Sequence, residues 1–207
     1  MLKILGRVSS INVRKVLWCL DELGLAYERE DWGAGFRSAQ SAEYLRLNPN
    51  GQIPVLLDDD FVLWESNSIL RYLANAHGGE VLYPKAPQAR ARVDQWLDWQ
   101  ASELNPAWSY PYLALVKQQP AAPDPQRLEE GIAAWNGRIA VLDQHLAQHG
   151  PYVAGELFSL ADIVLGLSLH RWRSTPMERI AAPAIDAYLE RLAARPAWAR
   201  YGSDATP

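Results

Sequence analysis

The stretch Asn50–Ser66, NGQIPVLLDDDFVLWES, constrains the fold of this chain more than any other. It is preceded by Asn48-Pro49, so that Asn-Pro-Asn-Gly forms a cluster of turn formers. Ile53-Pro54 then leads into a short apolar strand, Val55–Leu57. Asp58–Asp60 make a tight acidic turn, and Phe61–Trp64 form a second strand, antiparallel to the first because the turn is so short. Glu65 and Ser66 open an apolar helix. A proline donates no ladder hydrogen bond, so the backbone just before Pro54 stays open for pairing. The unpaired N–H groups near Ser66 offer a seat for a carboxylate, helped by the helix dipole. Together these features suit a small extended peptide with a free acid group.

The residues before this hairpin alternate between strand and helix. Leu2–Leu5 reads as a strand ending at Gly6, and Arg7–Asn12 as a polar loop. From Val13, the spacing of Val16, Leu17, Leu20 and Leu23 predicts a helix, closed by Gly24 as a C′ glycine. Ala26–Asp31 reads as a second strand anchored by Tyr27, Gly33–Ser41 as a loop, and Ala42–Leu47 as a short helix. After the hairpin, Ser66–His77 carries Ile69, Leu70 and Leu73 on one helical face and stops at Gly78-Gly79. The order βαβαββα predicts a mixed sheet with helices on both faces.

Beyond Gly79 the pattern changes. Leu82–Pro87 is a proline-punctuated linker, and the remainder of the chain reads as helical throughout. The runs are Gln88–Leu115, interrupted near Pro106 and Pro111, then Gln126–His149, Ser159–Trp172 and Ala184–Arg195, the last with Pro196 at its exit. The tail Gly202–Pro207 is expected to be mobile. The fold class is therefore α/β followed by all-α, with residues 1–79 as one domain and 87–207 as a helical bundle, each of ordinary domain size.

Composition narrows the function. Of the 207 residues, 49% are hydrophobic and 21% charged, which argues against disorder. A net charge of −4 with no basic run speaks against nucleic acid as a partner. No apolar run approaches the ~20 residues of a membrane span, so no membrane partner is expected. The start MLKILGRVSS lacks an export signal region, which makes the cytoplasm the expected location. A single cysteine rules out an intrachain disulfide and an all-cysteine metal site. The 9 tryptophans point to a ligand cavity or a subunit interface.

The two-part layout, with NPNGQIPVL, WESNSILRYL and SLADI, resembles the cytosolic glutathione transferase superfamily across essentially the whole chain. The segment GRVSSINVRKVLWCLDELG resembles the serine-type, theta-like and bacterial branch, since no tyrosine or cysteine stands at the catalytic place. The resemblance implies a thioredoxin-like N-terminal domain that binds glutathione, and a helical domain that supplies the pocket for an apolar electrophile. It implies that Ile53 pairs its backbone with the cysteinyl part of glutathione and that Pro54 is cis. Glu65 and Ser66 would grip the γ-glutamyl amine and carboxylate, with Gln52 near the same ligand backbone. Ser10 matches the catalytic serine, Asn12 is a competing donor and Ser9 a weaker one. Trp108, Tyr110, Tyr112 and Leu113 would line the electrophile pocket. Glutathione is then a co-substrate, no cofactor or metal is expected, and the implied assembly is a homodimer. Ser159 and Asp162 match a helix-capping box, a folding element rather than a catalytic one.

The mechanism this implies is ionisation of the glutathione thiol. A thiol with a pKa near ~8.5 is mostly protonated at neutral pH, and lowering it by ~2 units takes about 2.7 kcal/mol of preferential anion stabilisation. One neutral hydroxyl donor supplies ~1 kcal/mol, so Ser10 needs help from the positive end of the helix just beyond it, and from Asn12. Arg7 and Arg14 lie nearby in sequence.

Other readings of the same residues stay open. Ser10 and Asn12 also fit plain helix N-caps, Glu65-Ser66 a plain helix start, and Pro54 a plain edge-strand proline. Cys19 reads as a packed core residue rather than a redox group. His145 and His149 stand four apart, which reads as a solvated helix face with no third metal ligand. At the level of function, the same scaffold hosts peroxide reduction, dehalogenation or isomerisation, as well as non-catalytic interaction modules. The pattern at Gln52, Ile53, Pro54, Glu65 and Ser66 argues against a pure scaffold, which has no need of a ligand clamp.

Overall fold

The first domain is built on two buried strands. β1 (Leu2–Leu5) and β3 (Val55–Asp58) pair antiparallel, with Leu5 opposite Val55 and Ile4 opposite Leu56. Strand residues alternate faces. Leu5 and Val55 therefore share one side, where they cluster with Trp32, Ala39 and Tyr44. Ile4 and Leu56 fall on the other side and are completely buried. A computed structural model describes residues 1–202 of the chain. The tail from residue 203 onward lies outside the described residues.

β2 (Glu28–Glu30) runs parallel to β1, and β4 (Phe61–Trp64) antiparallel to β3, giving the sheet order β2-β1-β3-β4. The connecting helices are α1 (Ile11–Glu22), α2 (Ala42–Leu45) and α3 (Ser66–Ala76). α1 and α3 pack on each other. This is the mixed sheet and the βαβαββα order that the sequence predicts. β2 is shorter than expected, because only Glu28, Arg29 and Glu30 reach β1. Its charged side chains suit an edge strand. α1 begins at Ile11 rather than Val13, with Ser10 as its N-cap, so Asn12 belongs to the first helical turn and not to a loop.

The chain divides by its contacts into two units, Met1–Tyr83 and Pro84–Pro207. The second unit is helical: α4 (Pro87–Trp99), α5 (Asn105–Leu115), α6 (Pro125–His149), α7 (Leu160–Ser174), α8 (Pro183–Ala193) and α9 (Pro196–Tyr201). The long run expected over residues 88–115 is helical throughout but not uniform in its hydrogen bonding. A π-helical segment, Gln100–Leu104, separates α4 from α5. Pro106 explains it: the ring removes an N–H and crowds the carbonyl four residues back, which falls inside this segment. Pro111 lies within α5, and α6 presents Gly131 to it: a Cβ there would stand 2.8 Å from Pro111 Cγ. Pro196 does not end the helical region. It opens α9, since the first position of a helix has no N–H to lose.

The centre of this unit is Asp162, completely buried near the start of α7. Its carboxylate accepts from the Ser159 N–H at 2.7 Å, the Ser159 hydroxyl at 2.9 Å, the Val153 N–H at 3.0 Å and the Tyr188 hydroxyl at 2.9 Å. One side chain thereby ties the N-terminus of α7 to the preceding loop and to α8. The SLADI segment is a capping box, as expected.

Candidate active site

Gly6 ends β1 at the point where three elements converge. A Cβ at this position would lie 2.5 Å from Val13 Cγ2, 3.3 Å from Ile53 Cβ and 3.7 Å from Pro54 Cα. Only glycine lets β1, the first turn of α1 and the Ile53-Pro54 turn come this close. The Ile53-Pro54 peptide is cis, as the resemblance implies; Gln119-Pro120 is a second cis bond, not anticipated.

The turn is held from behind. Tyr44 Oη donates to the Gln52 carbonyl at 2.9 Å, and Asn48 Nδ2 to the same oxygen at 2.8 Å. Burial pushes the Tyr44 phenol well above its ordinary range, so it stays a donor at any physiological pH. With Gln52 fixed and β3 starting only at Val55, Ile53 is left with no backbone hydrogen bond among the described residues. This is the open backbone that the proline predicts. Gln52 itself is exposed and Pro54 buried.

Glu65 and Ser66 come directly after β4. Glu65 caps α3 with φ 71 and ψ 109, a left-handed conformation unusual for a side-chain-bearing residue, and its carboxylate makes no capping bond. Ser66 is 6% exposed, and its hydroxyl has no hydrogen-bond partner among the described residues. The register Val55 opposite Trp64 sets this pair on the β4 side of the Ile53-Pro54 turn.

Ser10 has the β conformation of an N-cap, yet its hydroxyl makes no capping bond. Its N–H turns back to the Arg7 carbonyl at 3.1 Å, and its own carbonyl accepts from Arg14 at 2.9 Å. The first-turn N–H groups of α1 are thus left free, together with the Ser10 hydroxyl. Asn12, in that same turn, is half-buried and has no side-chain partner among the described residues. Ser9 is different: its oxygen already accepts from Arg7 Nη1 at 2.6 Å.

The aromatic residues expected for the electrophile pocket all lie on α5 but do not share a face. Trp108 and Tyr112 meet edge to face at 5.5 Å, and both rings stack on the buried Arg171 guanidinium, at 4.3 and 4.1 Å. Tyr110 turns instead to the start of α6, where Arg127 covers its ring at 4.1 Å and the Asp124 N–H donates to its hydroxyl. Leu113 is 41% exposed.

Sequence reasoning missed one part of the site. The segment between β2 and α2, which reads in sequence only as a loop, walls a cleft of about 480 Å³ with Arg7, Gln40, Gln52 and Ile53. The signal was there in Gly33 and Gly35, both with left-handed φ, which let this segment fold back on itself. Gln40 Nε2 donates to the Gly51 carbonyl at 3.1 Å and so ties the segment to the turn. Among the described residues no group of three or more His, Cys, Asp or Glu is placed to hold a metal ion, and no helix is long and apolar enough to cross a membrane.

A sheet of order β2-β1-β3-β4 with a cis-proline before β3, followed by a helical unit, defines a protein with a thioredoxin-like domain and a C-terminal helical domain. Family models agree: residues 1–75 match the glutathione S-transferase N-terminal domain, and residues 125–201 the glutathione S-transferase C-terminal domain. Glutathione S-transferase GstB of Escherichia coli K12 is 33% identical over 199 residues, covering 95% of each chain. Glutathione S-transferase 3 of Zea mays is 34% identical over 205 residues, covering 95% of this chain and 91% of the plant protein. The theta class enzyme of Xanthomonas axonopodis pv. citri, solved with glutathione bound, is 39% identical with a TM-score of 0.92, over 99% of this chain and 98% of that one. The chain belongs to the glutathione S-transferase family. It is accordingly an enzyme of the glutathione transferase class, with glutathione as co-substrate.

Proposed function

We propose that the first domain binds glutathione along the Ile53-Pro54 turn and ionises its thiol for attack on an apolar electrophile. One observation carries this reading. Two helix N-termini of the same domain, at Ser10 and at Ser66, keep their hydroxyls unspent, and the unpaired backbone of Ile53 is held at the end of β1 that leads into the first. At Ser10, the N-cap of α1, a purely structural cap would have used the hydroxyl.

In this reading Ile53 pairs with the cysteinyl backbone, and Glu65 and Ser66 take the γ-glutamyl amine and carboxylate, the latter helped by the dipole of α3. Gln52 lies beside the ligand backbone. The sulfur faces the start of α1. There the Ser10 hydroxyl and the free N–H groups stabilise the thiolate, and Asn12 is the second donor. Cys19 takes no part: burial raises its thiol well above the ordinary range, so it stays protonated. The electrophile is assigned to α5, with Trp108, Tyr112 and Leu113 as its apolar residues, while Tyr110 is turned away to the start of α6. A homodimer, a cytoplasmic location and a role in detoxification complete the proposal. The chemistry, nucleophilic addition or substitution by the thiolate, needs no metal.

The test is Ser10→Ala, read by the ultraviolet absorbance of the bound thiolate against pH. The expected result is a rise in the thiol pKa of about one unit, the worth of one hydroxyl donor, with glutathione affinity kept. An unchanged pKa and rate would move the role to Asn12, which Asn12→Ala then checks.

A further inference from the structure

We infer that the helical unit carries an anion site of its own, a cavity between α4, the end of α6 and the turn before α7 that takes a small tetrahedral oxyanion of the phosphate or sulfate class. The cavity has a volume of about 230 Å³. That is below the ~300–1,000 Å³ of sites for drug-sized ligands and suits an ion. Its wall carries Arg92 and Gln95 from α4, His145 and His149 from α6, and Ala154 from the turn. No carboxylate lines it among the described residues, although the chain as a whole has a net charge of −4. Its donors are unspent. The Arg92 guanidinium, the Gln95 amide and the Ala154 N–H have no hydrogen-bond or ion-pair partner among the described residues. A guanidinium, an amide and a backbone N–H that converge on one cavity form a donor set for oxygen atoms.

The two histidines make the site sensitive to pH. In sequence they read as a solvated helix face, but His145 is half-buried, with its ring packed on Trp96 at 4.6 Å. The rings of His145 and His149 stack at 4.5 Å, 13° from parallel. Each spends one nitrogen on a backbone carbonyl: His145 Nε2 on Val153 at 2.8 Å, and His149 Nδ1 on His145 at 3.1 Å. A carbonyl only accepts, so in the neutral ring that nitrogen carries the proton, and His145 Nδ1 and His149 Nε2 are bare. Without a counter-ion a second proton is costly, because stacked imidazolium rings repel each other and Arg92 stands in the same wall. A dianion reverses the balance, and the bare nitrogen becomes a donor to it. The surrounding charges are accounted for. Asp94 and Asp98 fall on the other side of α4 by helical spacing. Arg138, two turns before His145, pairs with Glu103 at 2.8 Å, and Asp143 accepts from the Ile185 N–H at 2.9 Å. Glu156, whose Oε1 would stand 3.3 Å from a Cβ on Gly150, opposes an anion, while the C-terminus of α6 favours the imidazolium that the anion needs. Behind the site, the Val153 N–H donates to the buried Asp162 at 3.0 Å. A charged His145 strengthens the bond to the other side of that peptide, so the ion steadies the link from α6 to α7. A metal ion fits less well, since two bare nitrogens have no third ligand among the described residues and a guanidinium beside them.

The experiment is a calorimetric titration with sulfate, which stays a dianion over the range used, at pH 7.5 and pH 6 and at fixed ionic strength. Wild type should bind the ion roughly tenfold more tightly at pH 6, because binding takes up a proton. Arg92→Ala should weaken binding roughly tenfold or more at both pH values, the worth of a charge-assisted contact. The double variant His145→Gln with His149→Gln should lose the pH dependence. Both variants should keep the wild-type transferase rate and glutathione affinity, which also shows that they fold. Inorganic phosphate and glycerol phosphate at pH 7.5 tell the source of the ligand: tighter binding of the ester assigns the phosphoryl group of a larger molecule, and equal or weaker binding the free ion. No binding of sulfate at millimolar concentration overturns the inference, as does an affinity that Arg92→Ala leaves unchanged or one that is the same at both pH values. Zinc that binds wild type where sulfate does not would make the histidine pair a metal site and overturn it too. Arg92 is exposed, so its variant decides the matter even if the double variant does not fold.

Discussion

Glu65 holds a backbone conformation, φ 71 and ψ 109, that disfavours any residue with a Cβ, and its carboxylate has no partner among the described residues to compensate. Such strain costs ~1–3 kcal/mol and persists where function needs the geometry. Glu65→Ala keeps the strain and loses only the carboxylate. It should leave the unfolding free energy within ~0.5 kcal/mol of wild type while weakening glutathione binding roughly tenfold or more. Glu65→Gly relieves the strain and should be about 1 kcal/mol more stable, once the extra freedom of glycine in the unfolded chain is set against it, yet bind no better than Glu65→Ala. Urea unfolding and titration calorimetry read the two effects apart. A second residue-scale prediction concerns Cys19, buried in α1 with its thiol pushed up by burial. A disulfide reagent should leave it untouched in the native protein and titrate one thiol on unfolding. Fast modification under native conditions would contradict the packing of α1.

At the scale of elements, α6 offers an internal control in its two interior glycines. A Cβ on Gly131 would sit 2.8 Å from Pro111 Cγ and 3.0 Å from its Cδ, and a proline ring has little room to yield. Gly137 has nothing within 4 Å. Alanine is favoured over glycine in a helix by about 1 kcal/mol. Gly137→Ala should therefore stabilise by ~0.5–1 kcal/mol, while Gly131→Ala should destabilise by ~1–3 kcal/mol through overpacking. Further along α6, His145 Nε2 donates to the Val153 carbonyl at 2.8 Å, and its ring stacks on His149 at 4.5 Å and packs on Trp96 at 4.6 Å. Burial, and secondly the neighbouring His149, lower its pKa, while the bond to Val153 opposes them. Below its unfolded pKa of ~6.5 the unfolded chain then holds a proton that the folded chain refuses, so stability falls as pH drops through that value toward the folded pKa. Thermal unfolding between pH 7 and 5 should show a steeper loss in wild type than in His145→Gln. These elements also show what a sequence can and cannot reveal. The hairpin at Asn50–Trp64 was legible because its turn formers, alternation and proline are all local. The start of α1 was not, because Ile11 is one apolar residue in a polar run and declares itself only by packing. The π-helical break before Pro106 was foreseeable as an interruption, but not its form, nor the two bonds that Gln100 and Trp108 donate to Asn105 Oδ1 across it, at 2.7 and 2.8 Å. The cleft that Arg7 and Gln40 share was hidden for a similar reason, since it is made by residues far apart in sequence.

At the scale of the whole molecule, the proposed homodimer has its most direct support on the outer edge of the sheet. β4 is an edge strand, and Phe61, Val62 and Trp64 are 46%, 37% and 36% exposed. An open strand edge bearing three large apolar side chains is a liability in a monomer, and proteins that keep one usually cover it. Phe61, on the face of β4 opposite Val62 and Trp64, is seated at 5.0 Å against Tyr72 of α3, whose hydroxyl donates to Asp58 at 2.6 Å, so this end of the edge strand is braced rather than loose. A surface that is apolar, exposed and rigid loses little entropy on association, which favours a second copy of the chain over a flexible partner. Sedimentation velocity should show a dimer for wild type. Phe61→Glu with Trp64→Glu should shift it to monomer, since two carboxylates facing their symmetry mates across a twofold interface would be desolvated together. Because Glu65 and Ser66 come directly after β4, glutathione affinity should fall in the monomer even though neither substituted residue is assigned to the ligand. A double variant that remains dimeric would place the subunit contact elsewhere on the chain, and a monomer with full affinity would separate the glutathione site from assembly.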